Sequence, residues 1–144
     1  MKIAVLYSRV RVEEKLLFEA LEKRKVAFDR IDTRDLAFEL GDGGAMRQYS
    51  AVLNRGLSDS QSYYITRWLE GLGVPVVSSH RVVATCGDKL LTSAALQEAG
   101  VPQPRVKVAF TPEAALAAIE ELGYPVVLKP VHGSWGRLLA RIND

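Results

Sequence analysis

Lys129 stands at the end of a short apolar run, Val126-Val-Leu128, and Pro130 follows it at once. Val and Leu suit the inside of a sheet and an ammonium does not. The run therefore reads as a buried strand that delivers Lys129 to its mouth. A small-residue segment comes next, with Gly133, Ser134 and Gly136 around Trp135. Such a loop has adaptable backbone and free N–H groups. A point charge beside a backbone cradle is a clamp for phosphate.

Other groups with chemical potential lie further back. Cys86-Gly-Asp-Lys89 opens a helix. Asp88 suits the positive end of the helix dipole, whereas Lys89 opposes it. A cation there has a purpose if it meets an anion that the helix amides also attract; the bland alternative is an exposed lysine. Beside Lys129, Lys89 makes a second candidate phosphate contact. Arg9 and Arg11 follow an early strand and could hold an anionic substrate, or could simply be solvated. Asn54-Arg-Gly56 ends another strand at a comparable position, as a substrate contact or as a plain turn. His132 either touches a ligand or faces solvent. Trp135 either closes over a ligand or pins the loop. Cys86 has no histidine spaced as a nucleophile's partner and reads as a packed small residue. No cluster of His, Cys and carboxylates suggests a metal site, and no catalytic side chain is singled out.

These groups need a scaffold. Ile3 to Tyr7 is a continuous apolar run, the mark of a strand covered on both faces. Val12, Leu16, Leu17 and Leu21 recur at helical spacing, predicting a helix from Val12 to Lys25. Strands are expected at Val26–Ile31, Ala51–Asn54 and Pro75–Val77, with a short helical turn at Asp35–Leu40 and a flexible loop at Gly41–Gly44. Ser58 can cap a helix whose buried face is Tyr64, Ile65, Trp68, Leu69 and Leu72, with Gly73 ending it. Strands alternating with helices imply a mostly parallel α/β layer. After Ser79, a helix carrying Leu90, Leu91, Ala94, Ala95 and Leu96 ends at Gly100. A strand is expected at Arg105–Phe110. Thr111, Pro112 and Glu113 then form a helix start, and Gly123 its stop. Val126–Leu128 and Arg137–Ile142 should pair as an antiparallel hairpin.

The 144 residues carry 19 Lys/Arg against 17 Asp/Glu, and 48% are hydrophobic. That is an ordinary globular composition, enough for one domain or two small lobes. No basic run is dense enough for a nucleic-acid groove. No stretch has membrane-spanning length. A single cysteine excludes an internal disulfide and fits a reducing cytoplasm. The first strand–helix turn, Tyr7-Ser-Arg-Val-Arg11, has no glycine, so a dinucleotide fingerprint is absent.

Taken together, Cys86-Gly-Asp-Lys89, Pro102-Gln-Pro104, Gly123-Tyr-Pro-Val-Val-Leu-Lys-Pro130 and Gly133-Ser-Trp-Gly-Arg-Leu-Leu139 resemble the ATP-grasp carboxylate–amine ligases. The likeness is to the ribosomal-protein glutamate ligase group, and within it to enzymes of lysine biosynthesis that join α-aminoadipate to an amino-group carrier protein. Ile3 to Arg11 and Asn54 to Ser58 share it. The resemblance implies an α/β chain: a parallel-sheet pre-ATP-grasp domain over residues 1–79, then the small α+β first lobe of an ATP-grasp domain over 80–144. It implies ATP and Mg²⁺ as cofactors. Lys89 and Lys129 would hold phosphates, and the loop of Gly133, Ser134, Trp135 and Gly136 would fold over them. Arg9, Asn54 and Arg55 would face substrate. The implied partners are an acidic carrier protein and a small amino acid, aminoadipate or glutamate, with self-association expected. A related glutamate-adding ligase, or a non-catalytic nucleotide-binding or interaction module, is the alternative. The resemblance also implies a second lobe, carrying the metal ligands, that does not follow Asp144. The chain is therefore expected to be an N-terminal fragment, inactive alone.

Overall fold

A computed structural model describes residues 1–133 and 135–144. The chain divides into two compact units, Met1–Ala84 and Thr85–Asp144. The first is built around β1, Lys2–Tyr7, in which Ala4, Val5 and Leu6 have no exposed surface. Strand geometry sends alternate residues to opposite faces, so burial of consecutive residues requires cover on both. β1 lies at the centre of a four-stranded sheet in the order β2-β1-β3-β4. Its neighbours are β2, Ala27–Asp32, and β3, Ala51–Arg55, both parallel to it. β4, Val76–Val77, extends the sheet beyond β3.

The register Leu6↔Ile31 and Ala4↔Val52 puts these four residues on one face. There they meet α2, Asp59–Gly71, through Ile65 and Leu69, and the core is completed by Met46, Tyr49, Val74 and Val76. On the opposite face lies α1, Val12–Lys23. Its Phe18 is edge-on to Tyr7 at 6.0 Å and stacked on Phe28 at 5.9 Å between ring centroids. The glycine-free first turn is closed by its own side chains: Ser8 Oγ accepts the Leu57 N–H at 3.1 Å, tying the end of β1 to the end of β3.

Several expectations need correction. Asp35–Leu40 forms no helical turn; a short 3₁₀ helix occurs instead at Gly44–Gln48, partly within the expected glycine loop. Phe38 stacks on Trp68 with centroids 4.0 Å apart, so this stretch is held by ring contact and not by a helical ladder. Tyr64 is 65% exposed, because the buried stripe of α2 runs through Ile65, Thr66 and Leu69. Ser58 caps α2 as expected, accepting the Gln61 N–H at 3.3 Å.

The second unit begins within α3, His80–Cys86, a helix not expected from the sequence, at whose end Cys86 lies. Then come α4, Lys89–Glu98, and α5, Pro112–Leu122. Thr111 Oγ1 caps α5 by accepting the Ala114 N–H at 3.2 Å, and Gly123 ends it with φ 78°. β5, Val126–Leu128, pairs antiparallel with β6, Ala140–Ile142. The second arm is shorter than expected, since residues 137–139 belong to the turn. Arg105–Phe110 is not a strand: among the described residues no ladder partner pairs with it, and Val106, Val108 and Phe110 are exposed. β5 is likewise not buried, with Val127 and Leu128 both exposed. Cys86 is exposed too, not packed.

Candidate functional site

The start of α4 and the loop after β5 are laced together by main chain and side chain. Asp88 is the N-cap of α4, its Oδ1 accepting the Leu91 N–H at 2.9 Å. One residue on, the Lys89 N–H donates to Val131 O at 3.0 Å. The Lys89 ammonium donates to Gly133 O at 2.7 Å. From the loop side, the His132 Nδ1–H donates to Gly87 O at 3.3 Å, and its Nε2 lies 3.4 Å from Asp88 Oδ2. Because a carbonyl only accepts, the Gly87 contact fixes the proton on Nδ1.

Lys89 is thus brought against the glycine loop although 44 residues separate it from Gly133. Lys129 directly follows β5, the strand from which that loop departs, and is exposed. Gly133 and Gly136 have φ of 135° and 69°, conformations that favour glycine. Trp135, at φ 60°, is 82% exposed. Ser134 lies outside the described residues. The Lys89 ammonium at a helix start meets the loop carbonyl of Gly133, and Lys129 lies four residues before that glycine in the chain. Such a set suits the oxygens of a polyphosphate. Among the described residues no three His, Cys, Asp or Glu side chains converge to hold a metal ion.

The first unit has a separate polar constellation. Glu14, on α1, is fully buried. Arg11 donates to it from the main-chain N–H (3.1 Å), Nε (2.9 Å) and Nη2 (2.8 Å). Arg55, the last residue of β3, donates from Nε at 3.1 Å and Nη2 at 3.0 Å, both to Oε1. The Arg11 hydrogen bond, foremost among these, holds the Glu14 carboxyl at about 2 despite burial. Arg11 is therefore spent on structure, which corrects its reading as a free anion contact. Arg9 is exposed and has no hydrogen-bond partner among the described residues. Asn54 turns to the other face: its Oδ1 accepts the Gly56 N–H at 3.0 Å, and its buried Nδ2 has no acceptor among the described residues. Glu14 went unnoticed in the sequence. The available signal was its place three residues after Arg11, the capping-box position in which a carboxylate takes back the N-cap N–H. An open crevice of about 330 Å³ is lined by Glu13, Leu17, Leu53, Asn54, Arg55, Val77 and Ser78.

A parallel α/β unit followed by a small lobe with a lysine-and-glycine cradle is the arrangement of ATP-grasp proteins. The crystal structure of a RimK domain ATP-grasp protein from Sphaerobacter thermophilus matches all of this chain with a TM-score of 0.84 and 32% identity, over 54% of its own length. Residues 3–85 match the LysX preATP-grasp domain, and the chain belongs to that family. It is 38% identical over 144 residues to the glutamate–LysW ligase ArgX of Sulfurisphaera tokodaii, covering 50% of that protein. It is 31% identical over 134 residues to the α-aminoadipate–LysW ligase LysX of Saccharolobus solfataricus, covering 49% of it. The chain spans about half the length of the curated relatives it matches.

Proposed function

We propose that this chain is the nucleotide-cradling part of an ATP-grasp ligase that joins the amine of a free amino acid to the C-terminal carboxylate of an acidic, LysW-like carrier protein. The observation that carries the reading is the Lys89 ammonium on the Gly133 carbonyl, which puts a phosphate-competent cation on the glycine loop. In this reading Lys89 and Lys129 hold ATP phosphates, and Gly133, Ser134, Trp135 and Gly136 close over them. Water is thereby kept from a reactive acyl phosphate. A carboxylate oxygen of the carrier attacks the γ-phosphorus and ADP leaves. The amine then attacks the acyl carbon, phosphate leaves, and the nitrogen loses a proton to give the amide. Mg²⁺ would offset phosphate charge, from ligands outside the described residues. Arg9, Asn54 and Arg55 belong to the amino-acid side of the reaction. Residues 80–144 form the first lobe of the ATP-grasp domain, and the cytoplasm is the compartment that suits ATP and a free thiol.

Glutamate is the favoured amine. Two glutamate–LysW ligases share 38% and 36% identity with the chain, and two aminoadipate–LysW ligases share 31% and 32%. The test is an assay of the enzyme in its natural length with ATP, Mg²⁺, carrier protein and either amino acid. ADP release should match a mass gain on the carrier, faster with glutamate. No ADP release with either acid, beside intact nucleotide binding, would favour a non-catalytic module.

A further inference from the structure

Between β2 and the 3₁₀ helix at Gly44–Gln48 the chain forms neither helix nor strand, and β2 is the outermost strand of its sheet. The segment is held to the core by side chains. Leu36 packs against the buried cluster, and Phe38 stacks on Trp68. Without a helix to lay a continuous apolar face on the sheet edge, the space there is not filled. A cavity of about 330 Å³ opens among Ile31, Leu36, Phe38, Met46, Tyr49 and Trp68. Ile31 belongs to the sheet face that meets α2, so this cavity is on the side opposite α1 and the Glu14 network.

Its charge is of one sign. Glu39 and Asp42 both line it, and no Lys, Arg or His does. The Asp42 N–H donates to Glu39 O at 3.3 Å, a turn that keeps the two residues on one rim. Asp42 Oδ1 accepts the Gly44 N–H at 2.8 Å, which fixes that carboxylate. Among the described residues neither carboxylate has an ion-pair partner. Arg47, the nearest cation in sequence, directs its Nη1 to Leu72 O at 3.3 Å. The Tyr49 hydroxyl is spent on Asp29 Oδ2 at 2.6 Å. Trp68 Nε1 is itself buried, so a ligand meets the indole ring and not its N–H. Apolar and aromatic walls under a rim of two carboxylates leave an anion without a partner. A neutral molecule would leave both carboxylates unmet. An organic cation suits both parts, since aromatic rings also attract an ammonium.

We propose that this cavity binds an alkyl diamine. Its two ammoniums meet Glu39 and Asp42, and its methylene stem lies against Leu36, Phe38 and Trp68. The site owes nothing to the ligase reading. Trp135→Phe leaves Trp68 as the single tryptophan, and its fluorescence reports titrations of the 144-residue chain. Putrescine should give a saturable change with a dissociation constant on the order of millimolar at low salt, weakening as ionic strength rises to about 0.15 M. Butylamine, with one ammonium, should bind at least about threefold more weakly. Butanediol and succinate, neutral and anionic on a stem of the same length, should give no saturable change. Glu39→Gln and Asp42→Asn are at exposed positions, and the asparagine keeps an oxygen for the Gly44 N–H. Each should weaken putrescine at least about threefold, and the pair should remove it, with an unchanged circular dichroism spectrum. No saturation by ~50 mM putrescine, equal binding of butanediol, or full affinity in the double variant would overturn the proposal. Ligase turnover without putrescine binding would sink this site alone; putrescine binding without turnover would sink the function and leave the site.

Discussion

Arg55 at the end of β3 donates twice to a single oxygen of Glu14, a carboxylate with no solvent exposure that sits 41 residues earlier on α1. The contact joins the sheet to the helix on the side away from the main core. It is also the point where the structure of the first unit and its open crevice meet, because the same guanidinium lines both. A buried charge is tolerated only when paired and hydrogen-bonded, and Glu14 has both from two arginines.

Glu14→Gln removes that compensation and leaves Arg11 and Arg55 facing a neutral amide. Breaking one side of a buried pair costs about 3–5 kcal/mol; with both arginines partly exposed, the lower end is expected. Urea denaturation followed by circular dichroism measures it. A loss under about 1 kcal/mol would show that the network is not a stabilising one.

Acid should act through the same group. Glu14 is held at about 2, below its usual 4.5, first by the Arg11 hydrogen bond. The folded state therefore binds fewer protons than the unfolded state between those values. Its contribution is complete above pH 4.5 and is lost as pH falls towards 2. The maximum is about 3 kcal/mol. Asp32, held at about 2 by Arg34, pulls in the same direction but is too screened to add much. Midpoints of urea unfolding from pH 6 to 2.5 should drop for the wild type and fall less steeply for Glu14→Gln.

Lys129→Ala in the natural-length enzyme should abolish ligation. Losing a cation that meets phosphate costs on the order of 2 kcal/mol or more. Lys89→Ala should act similarly on ATP and should also free the loop at Gly133, whose carbonyl the ammonium holds. Values of KM for ATP and of kcat within twofold of wild type would exclude both lysines from the nucleotide site.

The 144-residue chain by itself should bind ATP weakly, with a dissociation constant on the order of millimolar, roughly 4 kcal/mol. It offers two ammoniums and a backbone cradle but, among its described residues, no metal centre. Calorimetric titration reads the affinity. Micromolar binding, or sustained ADP release with carrier and glutamate, would contradict this view of the chain.

Thr111→Ala should cost about 1 kcal/mol, since its hydroxyl alone caps the Ala114 amide at the start of α5. Thr111→Ser should restore most of that in thermal unfolding. Equal midpoints for wild type and both variants would show the cap contributes nothing.

Local patterns were legible in the sequence where a segment needs no distant partner. The apolar run Ile3–Tyr7 declared a strand covered on both faces, and Ser58, Thr111 and Gly123 marked helix ends, because caps are satisfied within one turn. Lys89 and the glycine loop were each visible as residues, but the bond between them was not. Tertiary structure decided what depends on a partner far along the chain. Arg105–Phe110 has an apolar alternation suited to a strand and is unpaired among the described residues, since a ladder requires a neighbour as well as a propensity. Lys89 meets Gly133, and Arg55 meets Glu14, across 44 and 41 residues. Charge and spacing say that such groups need partners; only the packed elements say which partners come within hydrogen-bonding distance.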